Sequence, residues 1–246
     1  MAFNLKPNQP TAESNISNSC LSVRSTVPDC SQFSQRWAQT EIFPHLLRSL
    51  AVSEGFGPFR QHLTNPSWAA VQELKKLGSG DKIRLETVEL PVHYQRVREI
   101  LSRIWETQQP QLAVHVGVGT ASKLIILEQC ARNQGYKDPD VCGCYAAGSC
   151  CVDGGPEKIE SLINMRSICK NLTGLDIAII YSRDAGRYLC EYAYYLSLYH
   201  GNQKAAFIHI PRLSNGLTVE QLGKALWMIL QELLHQLDTQ REPSVL

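Results

Sequence analysis

The sequence has no excess of charge in either direction. Its 24 Lys and Arg are offset by 23 Asp and Glu, for a formal net charge of +1. No basic stripe breaks that balance, so no nucleic-acid partner is expected. Long apolar runs are missing too. The longest fall far short of the about 20 residues that cross a bilayer, so no membrane partner is expected. The opening stretch, "MAFNLKPNQPTAESNISNSC", lacks a charged start followed by an apolar run, and no secretory signal is read there. A phosphate-binding loop is also missing. "GFGPF" (55–59) has neither the lysine and hydroxyl residue of a P-loop nor the third glycine of a dinucleotide turn.

Cysteine, by contrast, is plentiful, with nine residues. In a short secreted chain that number would suggest a disulfide framework. Here the count is odd, no signal is visible, and helix and strand patterns abound. Reduced thiols and a cytosolic location are expected. Four of the nine crowd into "CGCYAAGSCC" (142–151). Their C-x-C and C-C spacings do not match the C-x₂₋₄-C pairs of zinc sites, so no metal and no cofactor is expected. A zinc-binding module on these cysteines is a competing reading that metal analysis would test.

Residues 1–40 are polar and aperiodic and read as a disordered extension. Residues 41–240 read as a single domain, and 241–246 as a tail. "HLLRSLAV" (45–52) is a short helix or a first strand. "PSWAAVQELKKLG" (66–78) is a helix, with Pro66 in its first turn and Gly78 as its stop. "KIRLETVELP" (82–91) alternates as a strand does, and "HYQRVREILSRIWE" (93–106) is an amphipathic helix. "LAVHVGV" (112–118) and "KLIILEQC" (123–130) read as strands, and 131–156 as irregular. "PEKIESLINMRSICKNL" (156–172) reads as helix and "LDIAIIYS" (175–182) as strand. A helix containing Cys190, the strand "AAFIHIP" (205–211) and a long helix at 218–237 complete the chain. This alternation predicts a three-layer α/β/α sandwich around a mixed, mostly parallel sheet, with sites at strand ends.

Three side chains could form a thiol site. Cys190 falls in the first turn of its helix, where unpaired N–H groups and the helix dipole favour a thiolate. His209 sits in "FIHIP" and Glu128 in "IILEQC". In such a set the imidazole removes the thiol proton and the carboxylate orients the imidazole. Singly, each has a plainer reading. The Cys could be a small buried hydrophobe and the His a hydrogen-bonded core residue. Glu128 is harder to dismiss, since a carboxylate in an apolar strand demands a partner.

Taken in order, "GFGPF", "NPSWAAVQEL", "LPVHYQRV", "LAVHVGV", "LEQC", "NQGYKD", "DAGRYLC" and "FIHIP" resemble the pyroglutamyl peptidase I family of cysteine peptidases, over about residues 53–237. "NQGYKD" and "DAGRYLC" point to a mammalian-type member, and the altered front end to a paralogue. The resemblance implies removal of an N-terminal pyroglutamyl residue from peptides. It also implies a catalytic Glu128, Cys190 and His209, and a lactam pocket lined by Phe56, Phe59, Tyr188 and Leu189. The expected partners are peptides with N-terminal pyroglutamate, and the expected state is a monomer or weak homo-oligomer. The alternative is a catalytically impaired relative that keeps fold and pocket as a binding or regulatory protein. Two departures favour that alternative. "RSLAVSE" is polar for a central strand and ends in Glu54, whose carboxylate would oppose a nearby thiolate. Lys123 stands where the family has a small polar residue.

Overall fold

The structure, a computed structural model, describes residues 49–57, 65–78, 83–119, 123–172, 175–214 and 216–239. The sequence expectations for 1–40 and 241–246 lie outside these residues, as does Phe59.

A first strand, β1 (Ser49–Phe56), leads to α1 (Pro66–Leu77), β2 (Ile83–Leu90), α2 (Tyr94–Thr107) and β3 (Leu112–Val118). Next come β4 (Ile125–Glu128), β5 (Cys130–Arg132), β6 (Lys158–Glu160), α3 (Met165–Asn171) and β7 (Ile179–Ser182). The last elements are α4 (Leu189–His200), β8 (Ala205–Ile210) and α5 (Val219–Thr239). Six strands form the main sheet in the order β2-β1-β3-β8-β4-β7. All neighbours are parallel except β4 and β8, which run antiparallel. The expected mixed, mostly parallel sheet is what forms.

Side-chain parity sorts the two outer layers. Ala51, Val114, Val116, Ile208 and Ile210 face a cluster built with α1, α3 and α5. Val52, Phe56, Ala113, Ala205 and Phe207 face a cluster built with α2 and α4. α4 is buried on nearly every side, as its largely apolar and aromatic sequence demands. α1 starts where expected because Asn65 accepts the Ser67 N–H and Pro66 needs no partner.

Three local expectations change. The strand expected at 123–130 splits at Gln129. The Gln129 amide donates to Ser161 O and Ile163 O, and its carbonyl oxygen Oε1 accepts from Met165 N. That side chain takes up the backbone groups of 161–165 and turns the chain out of the main sheet. The helix expected at 156–172 forms only over Met165–Asn171. Its front half becomes β6, paired antiparallel with β5. Asn164 starts the helix late by accepting the Ser167 N–H. Finally, the ambiguous 45–52 stretch contains a strand from Ser49 onward, and β1 is flanked on both sides despite its polar residues. Ser53 and Glu54 are fully buried.

Candidate active site

Parity also builds the site. Glu128 on β4 and His209 on β8 point to the α2/α4 side of the sheet, where the antiparallel pairing of those strands sets them side by side. His209 Nδ1 lies 2.9 Å from Glu128 Oε1. Glu128 is almost wholly buried, and the Tyr194 hydroxyl donates to its main-chain oxygen at 2.8 Å. With Nδ1 engaged, Nε2 is the ring atom left for another partner.

That partner comes from α4. Cys190 is the second residue of the helix, and its cap residue Tyr188 supplies no side-chain acceptor to the first turn. The N–H groups beside the thiol are those a helix start leaves without intrahelical partners. The Cys190 thiol comes close enough to His209 to act on the titration of its imidazole. Burial opposes charging of His209. The Cys190 and Glu128 hydrogen bonds and charges outweigh burial and push the imidazole up to about 9.

Gly117 makes this approach possible. A Cβ there would lie 2.8 Å from Cys190 Sγ and 2.8 Å from the Phe207 ring. Phe207 packs tilted against His209, with ring centroids 4.7 Å apart. Gly117 and Phe207 were not singled out in the sequence. The parity of "HVG" against "FIH" was the available signal, since it places Gly117 on the His209 face.

The turn that presents Cys190 is locked by charge. Gly186 takes a left-handed conformation (φ +91°). Asp184 Oδ1 accepts from Gly186 N at 3.2 Å and from Arg187 Nη1 at 2.7 Å. Arg187 Nη1 also donates to Glu191 Oε2 at 2.8 Å, and Glu191 Oε1 accepts from Arg132 N at 3.2 Å. Glu191 is buried, which drives its carboxyl up to about 7 against the opposing pull of Arg187.

The substrate-binding candidates sit differently from one another. Phe56 is buried at the end of β1, its N–H bonded to Ser67 Oγ at 3.0 Å. Leu189 is buried in the α2/α4 cluster and Tyr188 packs against it. The Tyr188 hydroxyl donates to Pro139 O at 3.2 Å. Lys123 is exposed. Glu54 was expected to face the thiolate. It instead has a partner within the sheet: its Oε2 lies 2.5 Å from His115 Nδ1, with both side chains fully buried. The contact is an ion-pair approach, not a well-directed hydrogen bond, because neither group completes one. The His115 ring stacks on Phe207. A polar cavity lined by Gln129, Glu160, Ser161, Asn164, Arg166 and Arg183 shares no residue with this constellation, and it holds no thiol or imidazole.

A thiol at a helix start, an imidazole on a neighbouring strand and a buried carboxylate behind it, on an open α/β sheet, is the arrangement of a cysteine peptidase. The family model described as pyroglutamyl peptidase matches residues 50–240, and the chain belongs to that family. It is 47% identical over 193 residues to human "Pyroglutamyl-peptidase 1", covering 78% of this chain and 92% of that one. It is 49% identical over 166 residues to human "Pyroglutamyl-peptidase 1-like protein", covering 67% and 85%. Among solved structures, pyrrolidone carboxyl peptidase from Pyrococcus furiosus superposes with a TM-score of 0.69 at 25% identity, over 76% of this chain and 99% of that one. Among the described residues, no helix is long and apolar enough to cross a membrane.

Proposed function

We propose that the chain removes N-terminal pyroglutamyl residues from peptides, with Cys190 as nucleophile, His209 as acid–base and Glu128 as its orienting group. The observation that supports this reading is the His209–Glu128 hydrogen bond, with Cys190 at the start of α4 acting on the same imidazole. His209 Nε2 takes the Cys190 proton, and Sγ attacks the carbonyl carbon that joins the pyroglutamyl ring to the next residue. The developing oxyanion is met by N–H groups at the start of α4. Collapse breaks the peptide bond as the imidazolium gives its proton to the leaving amine. Water, activated by the same imidazole, then cleaves the thioester and frees 5-oxoproline. Phe56, Phe59, Tyr188 and Leu189 form the lactam pocket in this reading. Relatives named for this activity support the substrate class.

All three reacting groups come from one chain, which suits a monomer or weak homo-oligomer. Cys130, Cys144, Cys150, Cys151, Cys169 and Cys190 are free thiols, which suits the reducing cytosol. The test is release of a fluorophore from a pyroglutamyl-linked reporter by the purified protein. Turnover by the wild type and its loss in Cys190→Ala are expected. A folded wild type without turnover would instead make the retained site a binding site.

A further inference from the structure

Away from the thiol, a second cluster gathers an imidazole, a carboxylate and a thiol. The ligand atoms of His93, Asp140 and Cys144 all lie within 4.8 Å of one another. They come from the start of α2 and from the cysteine-rich loop, so no local spacing in the sequence announces them. We propose that His93, Asp140 and Cys144 form a zinc(II) site of this protein.

The two inner ligands are already set. The Asp140 side chain is fully buried, and three backbone N–H groups hold it. Its Oδ1 accepts from Cys142 N and Cys144 N, each at 2.9 Å, and its Oδ2 accepts from Tyr94 N at 3.2 Å. Those bonds fix the carboxylate in orientation. His93 Nδ1 stands 3.5 Å from Asp140 Oδ2. The same nitrogen accepts a long contact from Arg96 N at 3.5 Å, which zinc would displace. The third ligand, Cys144, is exposed on a turn closed by the Asp140 N to Cys144 O bond at 2.8 Å. Zinc bonds of about 2.0–2.3 Å place tetrahedral ligands roughly 3.3–3.7 Å apart. Closing the remaining gap of roughly one ångström asks only for rotation of an exposed thiol.

The donor set selects the metal. Thiolate and imidazole donors disfavour calcium and magnesium, and one each of nitrogen, oxygen and sulfur suits zinc. Three protein ligands leave a fourth position for water. The site is also placed to be felt at the nucleophile. Pro139, next to Asp140, accepts the Tyr188 hydroxyl, and Tyr94 meets Tyr188 edge-on at 6.1 Å. Tyr188 caps the helix that carries Cys190.

The experiment uses the full chain with Cys190→Ser, which removes the thiol beside His209 as a competing ligand. Zinc is titrated in competition with a chromophoric chelator, and cobalt(II) serves as a spectroscopic probe. One equivalent of zinc should bind, and cobalt should give thiolate-to-metal charge-transfer absorption. Adding His93→Ala or Cys144→Ser should weaken zinc roughly tenfold or more, since outer-shell partners alone are worth about that much. Cys144→Ser should also abolish the cobalt band. Cys144 is exposed, so Cys144→Ser should leave metal-free melting little changed, whereas His93→Ala also loses the α2 cap and should melt somewhat lower, with an unchanged circular dichroism spectrum showing that it folds. Unchanged zinc affinity in both variants, or a cobalt band that survives Cys144→Ser, overturns the proposal.

Discussion

Glu128 and His209, 81 residues apart in the chain, meet diagonally across the antiparallel pairing of β4 with β8, with Oε1 and Nδ1 2.9 Å apart. The reversal of β4 against β8 puts two strand ends from distant parts of the chain beside one helix start. If Glu128 holds the imidazole with Nε2 toward Cys190, then Glu128→Gln permits the wrong ring tautomer. Turnover of the pyroglutamyl reporter should fall by about 10²–10⁴-fold with the circular dichroism unchanged. A loss of folding without a separable loss of turnover would mark Glu128 as structural.

The raised His209 makes a pH prediction. Between its ordinary value of 6.5 and about 9, the folded chain holds a proton that the unfolded chain releases. Its contribution to stability is complete below 6.5 and lost as the pH rises through 9. Glu191 acts in the same direction at lower pH, because its carboxyl holds a proton up to about 7 in the folded chain but only to 4.5 when unfolded. Denaturant midpoints should therefore decline from mildly acidic toward alkaline pH. His209→Gln should flatten the alkaline part and Glu191→Gln the acidic part.

Gly117 is where packing and chemistry meet. A methyl at 117 collides with Cys190 Sγ and with a rigid phenylalanine ring. Gly117→Ala should lower turnover by roughly 10²-fold, a cost typical of an ångström-scale misplacement of a reacting group. It should affect kcat more than KM. A variant with wild-type kcat would show that the thiol does not rest on β3.

The Glu54–His115 pair is fully buried and incompletely bonded. Removing one partner, as in Glu54→Leu or His115→Phe, should destabilise the chain by about 3–5 kcal/mol, because the other is left without a counter-group. The double variant should recover most of that loss. Additive losses in urea melts would show that the two do not act as a pair.

How much of this was legible follows from the range of each signal. Helical periodicity and caps are local, so α1, α2 and the Cys190 helix were readable within a residue or two. Glu128, Cys190 and His209 were readable as candidates because each sits in its own motif. Their meeting was not, since strand order and the β4–β8 reversal are set by the whole sheet. Glu54 is the instructive case. Its burial was a warning in the sequence, but its partner His115 lies in a strand it meets only through lateral pairing. The 156–172 stretch misled because Ile159, Leu162 and Ile163 stand at i, i+3 and i+4, as on one helix face. The side-chain bonds of Gln129 and the Asn164 cap decided otherwise.

The central claim is that Cys190 and His209 act as one activated pair, and alkylation under limiting iodoacetamide at mildly acidic pH tests it most directly. Burial raises the thiols of Cys130, Cys151 and Cys169, while Cys142 and, in zinc-free protein, Cys144 are exposed and control for access. Mapped by mass spectrometry, labelling should be dominated by Cys190 and should fall sharply in His209→Ala, with labelling of Cys142 and Cys144 unchanged. Preferential labelling of Cys142 or Cys144 in the wild type, or Cys190 labelling indifferent to His209→Ala, would contradict it.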